Sequence, residues 1–201
     1  MKKYIAPVVT FVVLVIIAAG LFYVVKMQPQ TPAETDQQME EVNYLMQLLE
    51  SGLGESLQTF KQDGVKVMVI GQKERLPKSL QEMIEKVEEE TKDNDKFQLN
   101  LAVSYGGKWD ILNAVKKMVA EGIDPQKIDE ALFENYLSTV GLPNPDLVIR
   151  AGGEMRLSNF LLWQTAYAEL YFSPKLWPDF SEQDLDLALE EFDRRSRRFG
   201  K

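Results

Sequence analysis

The stretch Asp146-Leu-Val-Ile-Arg150-Ala-Gly-Gly-Glu154-Met-Arg156-Leu-Ser158-Asn-Phe160 gathers groups that bind anions. A guanidinium is a planar fork that donates paired hydrogen bonds to oxygen, so Arg150 and Arg156, with the Ser158 hydroxyl, suit a phosphate or diphosphate. The apolar run before Arg150 predicts a buried strand ending there, at the end of a parallel sheet where ligand crevices lie. Gly152 and Gly153 let the chain turn sharply. Ser158 is expected to open a helix whose first amide N–H groups are unpaired and available to an anion. The competing reading places both arginines in surface salt bridges and leaves Ser158 as a plain helix cap.

Composition narrows the chemistry further. Asp and Glu number 31 against 23 Lys and Arg, for a net charge of -8. Such a chain is repelled by nucleic-acid backbones, and a nucleic-acid-binding role is set aside. There is no cysteine, hence no disulfide, thiolate nucleophile or cysteine metal site, and no histidine to act as general base or zinc ligand. Carboxylates, hydroxyls and cations remain, with a hard metal ion as the one metal chemistry compatible with them.

The elements that must position these groups alternate between two periods. Val42, Leu45, Met46, Leu49, Leu53, Leu57 and Phe60 fall on one helical face that ends at Gly64. Val65–Ile70 reads as a strand, and Leu80, Met83, Ile84 and Val87 as a second helical stripe. The acidic run Glu85, Glu88, Glu89 and Glu90 reads as a solvated face. A strand over Phe97–Tyr105 precedes a helix marked by Ile111, Val115, Met118 and Val119. Asp124-Pro125 predicts the cap and first residue of a fourth helix. Strands over Asp146–Arg150 and Ala168–Phe172 follow. Ser181, with Asp184 three residues on and Phe180 placed to staple against Leu185, opens a last helix buried through Leu185, Ala188, Leu189 and Phe192. Strands separated by helices predict an α/β fold: a parallel sheet covered by helices on both faces.

The segment from Ile149 to Phe172, IRAGGEMRLSNFLLWQTAYAELYF, resembles the most distinctive signature of the bacterial undecaprenyl diphosphate synthases, which are cis-prenyltransferases. LWPDF at Leu176–Phe180, RRSRRFG at Arg194–Gly200 and LNLAVSYGG at Leu99–Gly107 match it too, with Lys108 where an arginine is usual. The resemblance implies that Arg150, Arg156 and Ser158 hold the diphosphate of isopentenyl diphosphate, which is added to an allylic prenyl diphosphate. It implies that Glu169 helps hold Mg²⁺, an ion content with few carboxylate or phosphate oxygens and its own waters. Arg198 and Gly200 look like the family's Arg-x-Gly tail, which reaches a neighbour's diphosphate across a dimer. Without the resemblance, Arg194, Arg195, Arg197 and Arg198 are a charge cluster favoured at a helix end. Val67, Val69, Leu99 and Leu101 could line a tunnel for the growing chain, but ordinary core is the simpler account.

One family motif has no counterpart. The resemblance implies an opening strand and an Asp-Gly-Asn-Gly-Arg loop whose aspartate serves catalysis with Mg²⁺, yet the only Asp-Gly is Asp63-Gly64 at a helix end. No catalytic aspartate is therefore assigned, and charge developing on the allylic leaving group lacks its cradle. The lost opening strands leave a sheet edge to be covered or paired. In their place Tyr4–Val25 is uncharged and long enough to span a bilayer, so residues 1–26 are expected to form a retained membrane anchor rather than a cleaved leader. Residues 27–39 are expected to be a polar linker, and residues 40–201 a partial cis-prenyltransferase domain. Three readings follow: a prenyl transferase completed by a homodimeric or heterodimeric full-length partner, a membrane-anchored non-catalytic subunit similar to the Nogo-B receptor type, or a truncated frame.

Overall fold

The computed structural model describes residues 32–195, with side chains from Met39 onward. The expected anchor, the first part of the expected linker and the Arg198–Gly200 tail lie outside the described residues. Described residues divide into two compact units, the first ending at Val140 and the second beginning at Gly141. No described helix is long and apolar enough to cross a membrane.

In the first unit, helix α1 (Pro32–Asp63) carries the predicted stripe: Met46, Leu53 and Leu57 are buried, with Val42, Leu49 and Phe60 packed beside them. It starts inside the stretch expected to be linker, because Pro32 suits a first helical position and the residues after it are good helix formers. Strand β1 (Val65–Ile70) lies where the sequence puts it. Helix α2 (Lys78–Thr91) buries Leu80, Ile84 and Val87 completely or nearly so. Strand β2 (Phe97–Ala102) pairs in parallel with β1, from Val65 opposite Phe97 to Ile70 opposite Ala102. It stops short of the predicted Tyr105, since Ser104 takes a φ of 50° that no strand tolerates. Val67, Val69 and Leu101 are buried in the core with α1 and α2, and Leu99 packs partly buried against it.

At the end of β1 the chain passes very close to the end of β2. A Cβ on Gly71, whose φ is +121°, would lie 2.0 Å from the Val103 carbonyl oxygen, so only glycine fits.

Two helical expectations in this unit are corrected. Helix α3 (Gly107–Ala120) exists, but its buried face runs through Gly107, Asp110, Ala114 and Met118. Val115 and Val119 are exposed instead, because the buried Asp110 carboxylate accepts from Tyr105 Oη at 3.0 Å and from the Ser138 amide at 2.9 Å and so turns that face inward. Asp124-Pro125 opens only a single 3₁₀ turn, Pro125–Lys127, and a separate short helix α4 (Glu130–Glu134) starts from its own cap, Asp129.

The second unit holds strands β3 (Leu147–Arg150) and β4 (Glu169–Phe172), paired in parallel from Leu147 opposite Glu169 to Arg150 opposite Phe172. Helix α5 (Glu182–Arg194) begins with the expected reciprocal cap between Ser181 and Asp184. Ala188 is fully buried on it, while Leu189 is exposed. Phe180, expected to staple onto Leu185, stacks on Trp177 with ring centroids 5.7 Å apart. The fold class is thus α/β with parallel strands and flanking helices, carried among the described residues by two two-stranded ladders.

Candidate functional site

Strand β3 delivers Arg150 to its carboxyl end as predicted. Gly152 and Gly153, with φ of 99° and 73°, turn the chain there, and their amides bond back to the Lys175 and Ser173 carbonyls at 2.7 and 2.9 Å. The loop that follows folds onto the arginine. Arg150 Nη1 donates to Ser158 Oγ at 3.0 Å and to the Arg156 carbonyl oxygen. Two of the three predicted cradle side chains therefore meet directly.

The third is near but otherwise engaged. Arg156 donates to the Glu154 carboxylate and its side chain is 61% exposed. Burial, and next the like charge of Arg156, hold the Arg150 guanidinium below its ordinary pKa, with Glu154 opposing. Two cations that repel each other at the mouth of a strand are an arrangement that an added anion stabilises.

The expected helix at Ser158 is not formed. Ser158, Asn159 and Leu161 take left-handed φ values of 47°, 66° and 39°, which an α-helix cannot accommodate, and the chain to Tyr167 runs as successive turns. The cradle consists of side chains on a turn, with no helix amino end behind it.

Glu169 opens β4 and is half-buried. One carboxylate oxygen accepts from Arg195 Nη1 at 2.9 Å, and the same guanidinium donates to the Leu170 carbonyl at 2.9 Å and to Glu191. These carboxylates hold Arg195 above its ordinary pKa, the bond to Glu191 contributing most. Among the described residues no cluster of three acidic side chains could hold a metal by itself. A lone carboxylate nevertheless fits a magnesium ion whose other positions are filled by diphosphate oxygens and water.

Sequence reasoning missed two residues. Arg195 was grouped with a helix-end cluster, and its spacing gave no sign of the carboxylate that it clamps. Glu88 was assigned to a solvated face, but it accepts the Val69 amide at 2.7 Å and pairs with Lys73 at 2.7 Å. The available signal was its spacing: Glu88 follows Ile84 by one turn and so borders the buried stripe.

With this geometry in place, comparisons with known proteins agree. Residues 33–200 match a family model described as "Putative undecaprenyl diphosphate synthase". The chain is 45% identical over 164 residues to a ditrans,polycis-undecaprenyl-diphosphate synthase of Legionella pneumophila, covering 80% of this chain and 69% of that one. The crystal structure of lavandulyl diphosphate synthase from Lavandula x intermedia, in complex with dimethylallyl diphosphate, is similar with a TM-score of 0.77. Identity is 44%, over 81% of this chain and 72% of that one. A "probable undecaprenyl diphosphate synthase" of Campylobacter jejuni is similar with a TM-score of 0.72 at 37% identity, over 81% of this chain and 76% of that one. A strand-end arginine cradle on parallel strands, together with this match across most of the chain, establishes that the protein belongs to the undecaprenyl diphosphate synthase family of cis-prenyltransferases, whose reaction is cis-prenyl chain elongation.

Proposed function

We propose that this chain binds isopentenyl diphosphate through Arg150, Arg156 and Ser158 and takes part in cis-polyprenyl elongation together with a full-length partner. The observation that carries the reading is the Arg150 Nη1 to Ser158 Oγ bond of 3.0 Å beside a second, repelling guanidinium. A diphosphate replaces the Arg156 carbonyl and Glu154 as the acceptor for these cations and relieves their repulsion. Glu169 would hold Mg²⁺, which supplies positive charge to the diphosphate oxygens. To do so it would share or release Arg195. Arg198 and Gly200 would reach a partner's diphosphate.

Calorimetric titration of the full chain with isopentenyl diphosphate, with and without Mg²⁺, tests this. Arg150→Ala should cost several kcal/mol of binding, as removing one partner of a charged hydrogen-bonded pair does. Equal affinity in the variant would sink the assignment.

A second reading is favoured by one observation, the absence of any Asp-Gly-Asn-Gly-Arg loop from the sequence. In it the chain is a non-catalytic subunit, tethered to a membrane by Tyr4–Val25. It then yields no product from farnesyl and isopentenyl diphosphates alone, yet co-purifies with a full-length synthase from the membrane fraction. Turnover by the purified chain on its own would exclude this reading.

A further inference from the structure

Arg195 closes α5 and reaches Glu169 from 26 positions along the chain. It stands where the helix ends, with extended backbone and its N–H donated to the Phe192 carbonyl at 3.1 Å. A cation is favoured at that end of a helix, but charge alone does not decide where its side chain goes. The neighbouring Arg194 carries the same charge, donates within its own helix to the Glu190 carbonyl at 3.2 Å, and stays exposed.

Two of the three acceptors of Arg195 hold its guanidinium independently of the Glu169 carboxylate. The Leu170 carbonyl, 2.9 Å from Nη1, is backbone of β4. That strand is pinned to β3 by its parallel pairing and by the Glu169 N–H, which donates to the Asp146 carbonyl at 2.9 Å. The Glu191 carboxylate, one helical turn back on α5, accepts from Nη2. With both terminal nitrogens fixed, a planar fork has little freedom left. Nη1 also donates to Glu169 Oε2 at 2.9 Å. The Glu169 carboxylate thus meets a guanidinium already in place.

Glu169 is held by one oxygen only. Oε2 accepts from Arg195, and Oε1 has no hydrogen-bond partner among the described residues. The last torsion of a glutamate is broad, so an unrestrained carboxylate presents no fixed oxygen to a metal. Carboxylate ligands are commonly oriented by hydrogen bonds from residues that do not touch the ion. Arg195 supplies such a bond and leaves the second oxygen unused. Its charge does not bar a cation, because Glu169 and Glu191 together outweigh it and leave the trio negative.

We propose that Arg195 is a positioning residue for Mg²⁺: it keeps Oε2 of Glu169 and leaves Oε1 to the ion, so that metal binding adds to the ion pair rather than displacing it. This rests on the reading of Glu169 given above and names the residue that readies it.

Calorimetric titration of the full chain with isopentenyl diphosphate over a series of Mg²⁺ concentrations tests this. Mg²⁺ should tighten binding by the parent, and Glu169→Gln should abolish that gain. Arg195→Ala should raise the Mg²⁺ concentration giving half of the gain by about 10–100-fold, the usual cost of losing a partner that orients a ligand. Affinity without Mg²⁺ should stay within about twofold of the parent, since Arg195 makes no bond to Arg150, Arg156 or Ser158. Loss of a positive charge by itself eases metal binding, so a general charge effect has the opposite sign. Arg194→Ala, the control, should not raise the requirement. Arg195→Lys keeps the cation without the fork and should raise it by a smaller factor; it is read instead if the alanine variant does not fold. The proposal is overturned if the Mg²⁺ requirement of the Arg195 variant is unchanged or falls, the second being what a competitor for Glu169 would give, or if Arg194→Ala raises it equally. Those outcomes leave Glu169 as the ligand. A parent that gains nothing from Mg²⁺, or a Glu169→Gln variant that keeps the gain, overturns both.

Discussion

The two units solve different problems. The first seals Val67, Leu80, Ile84 and Val87 to within 2% of full burial, and the charge that it buries among the described residues, Asp110, is bonded to Tyr105 and Ser138. The second has strands that are half-buried throughout, and it buries Gln164, Thr165, Ser173 and Asp184 beside Phe160, Leu161 and Ala188. A segment of that size cannot enclose much apolar surface, and hydrogen bonds and ion pairs define its shape instead. The arginine cradle sits in this second, polar unit. Guanidiniums poised for an anion belong where some water remains, because sealing them in an apolar core would cost more than the anion returns.

This contrast can be broken or sharpened by substitution. The largest stability effect is expected from Ile84→Ala, about 2–5 kcal/mol in urea unfolding, because it opens a cavity in the sealed core. Arg150→Ala should do the reverse. It should remove about 2–5 kcal/mol of isopentenyl diphosphate binding while unfolding shifts by less than about 1 kcal/mol. If instead it unfolds the protein, the cradle is structural and the division between units is wrong. Glu88→Ala leaves the Val69 amide and Lys73 without their acceptor and should cost about 1–3 kcal/mol, measurable by the same unfolding curve.

The smallest effect is a pH dependence confined to the second unit. The hydrogen bond from Lys175, and then those from Ser181, lower the Asp184 carboxyl from an ordinary 3.8 to about 2. The unfolded chain therefore takes up this proton first as pH falls. The stabilisation is complete above about pH 4 and is lost on descent toward pH 2. Asp184→Asn should flatten stability across that window and leave the neutral-pH value of Ile84→Ala relative to its parent unchanged.

Much of this arrangement is legible in the sequence. β1 runs over the predicted Val65–Ile70, and the stripes of α1 and α2 are buried as their periodicity indicates, because apolar residues at helical spacing have few alternatives. Arg150 and Ser158 meet because a strand end and a glycine turn leave the loop little freedom. The misses come from long-range polar contacts and from backbone conformations that local pattern does not encode. Asp110 turns α3 by bonding Tyr105 and Ser138, and successive left-handed residues replace the expected helix at Ser158. Glu88 leaves its solvated face to close a strand edge. A sequence lists donors and acceptors but does not pair them across the 19 positions that separate Val69 from Glu88.

Gly71 has a consequence for how freely the gene can drift. Any methyl group there meets the oxygen of Val103, whose amide in turn fixes the last rung between β1 and β2. A saturation library should return glycine alone at this codon. Gly52, a helical position with open space around it, should accept most replacements. Intolerance at position 71 therefore reports on the join between two neighbouring backbones rather than on chemistry, and its loss in a homologue would signal a changed register.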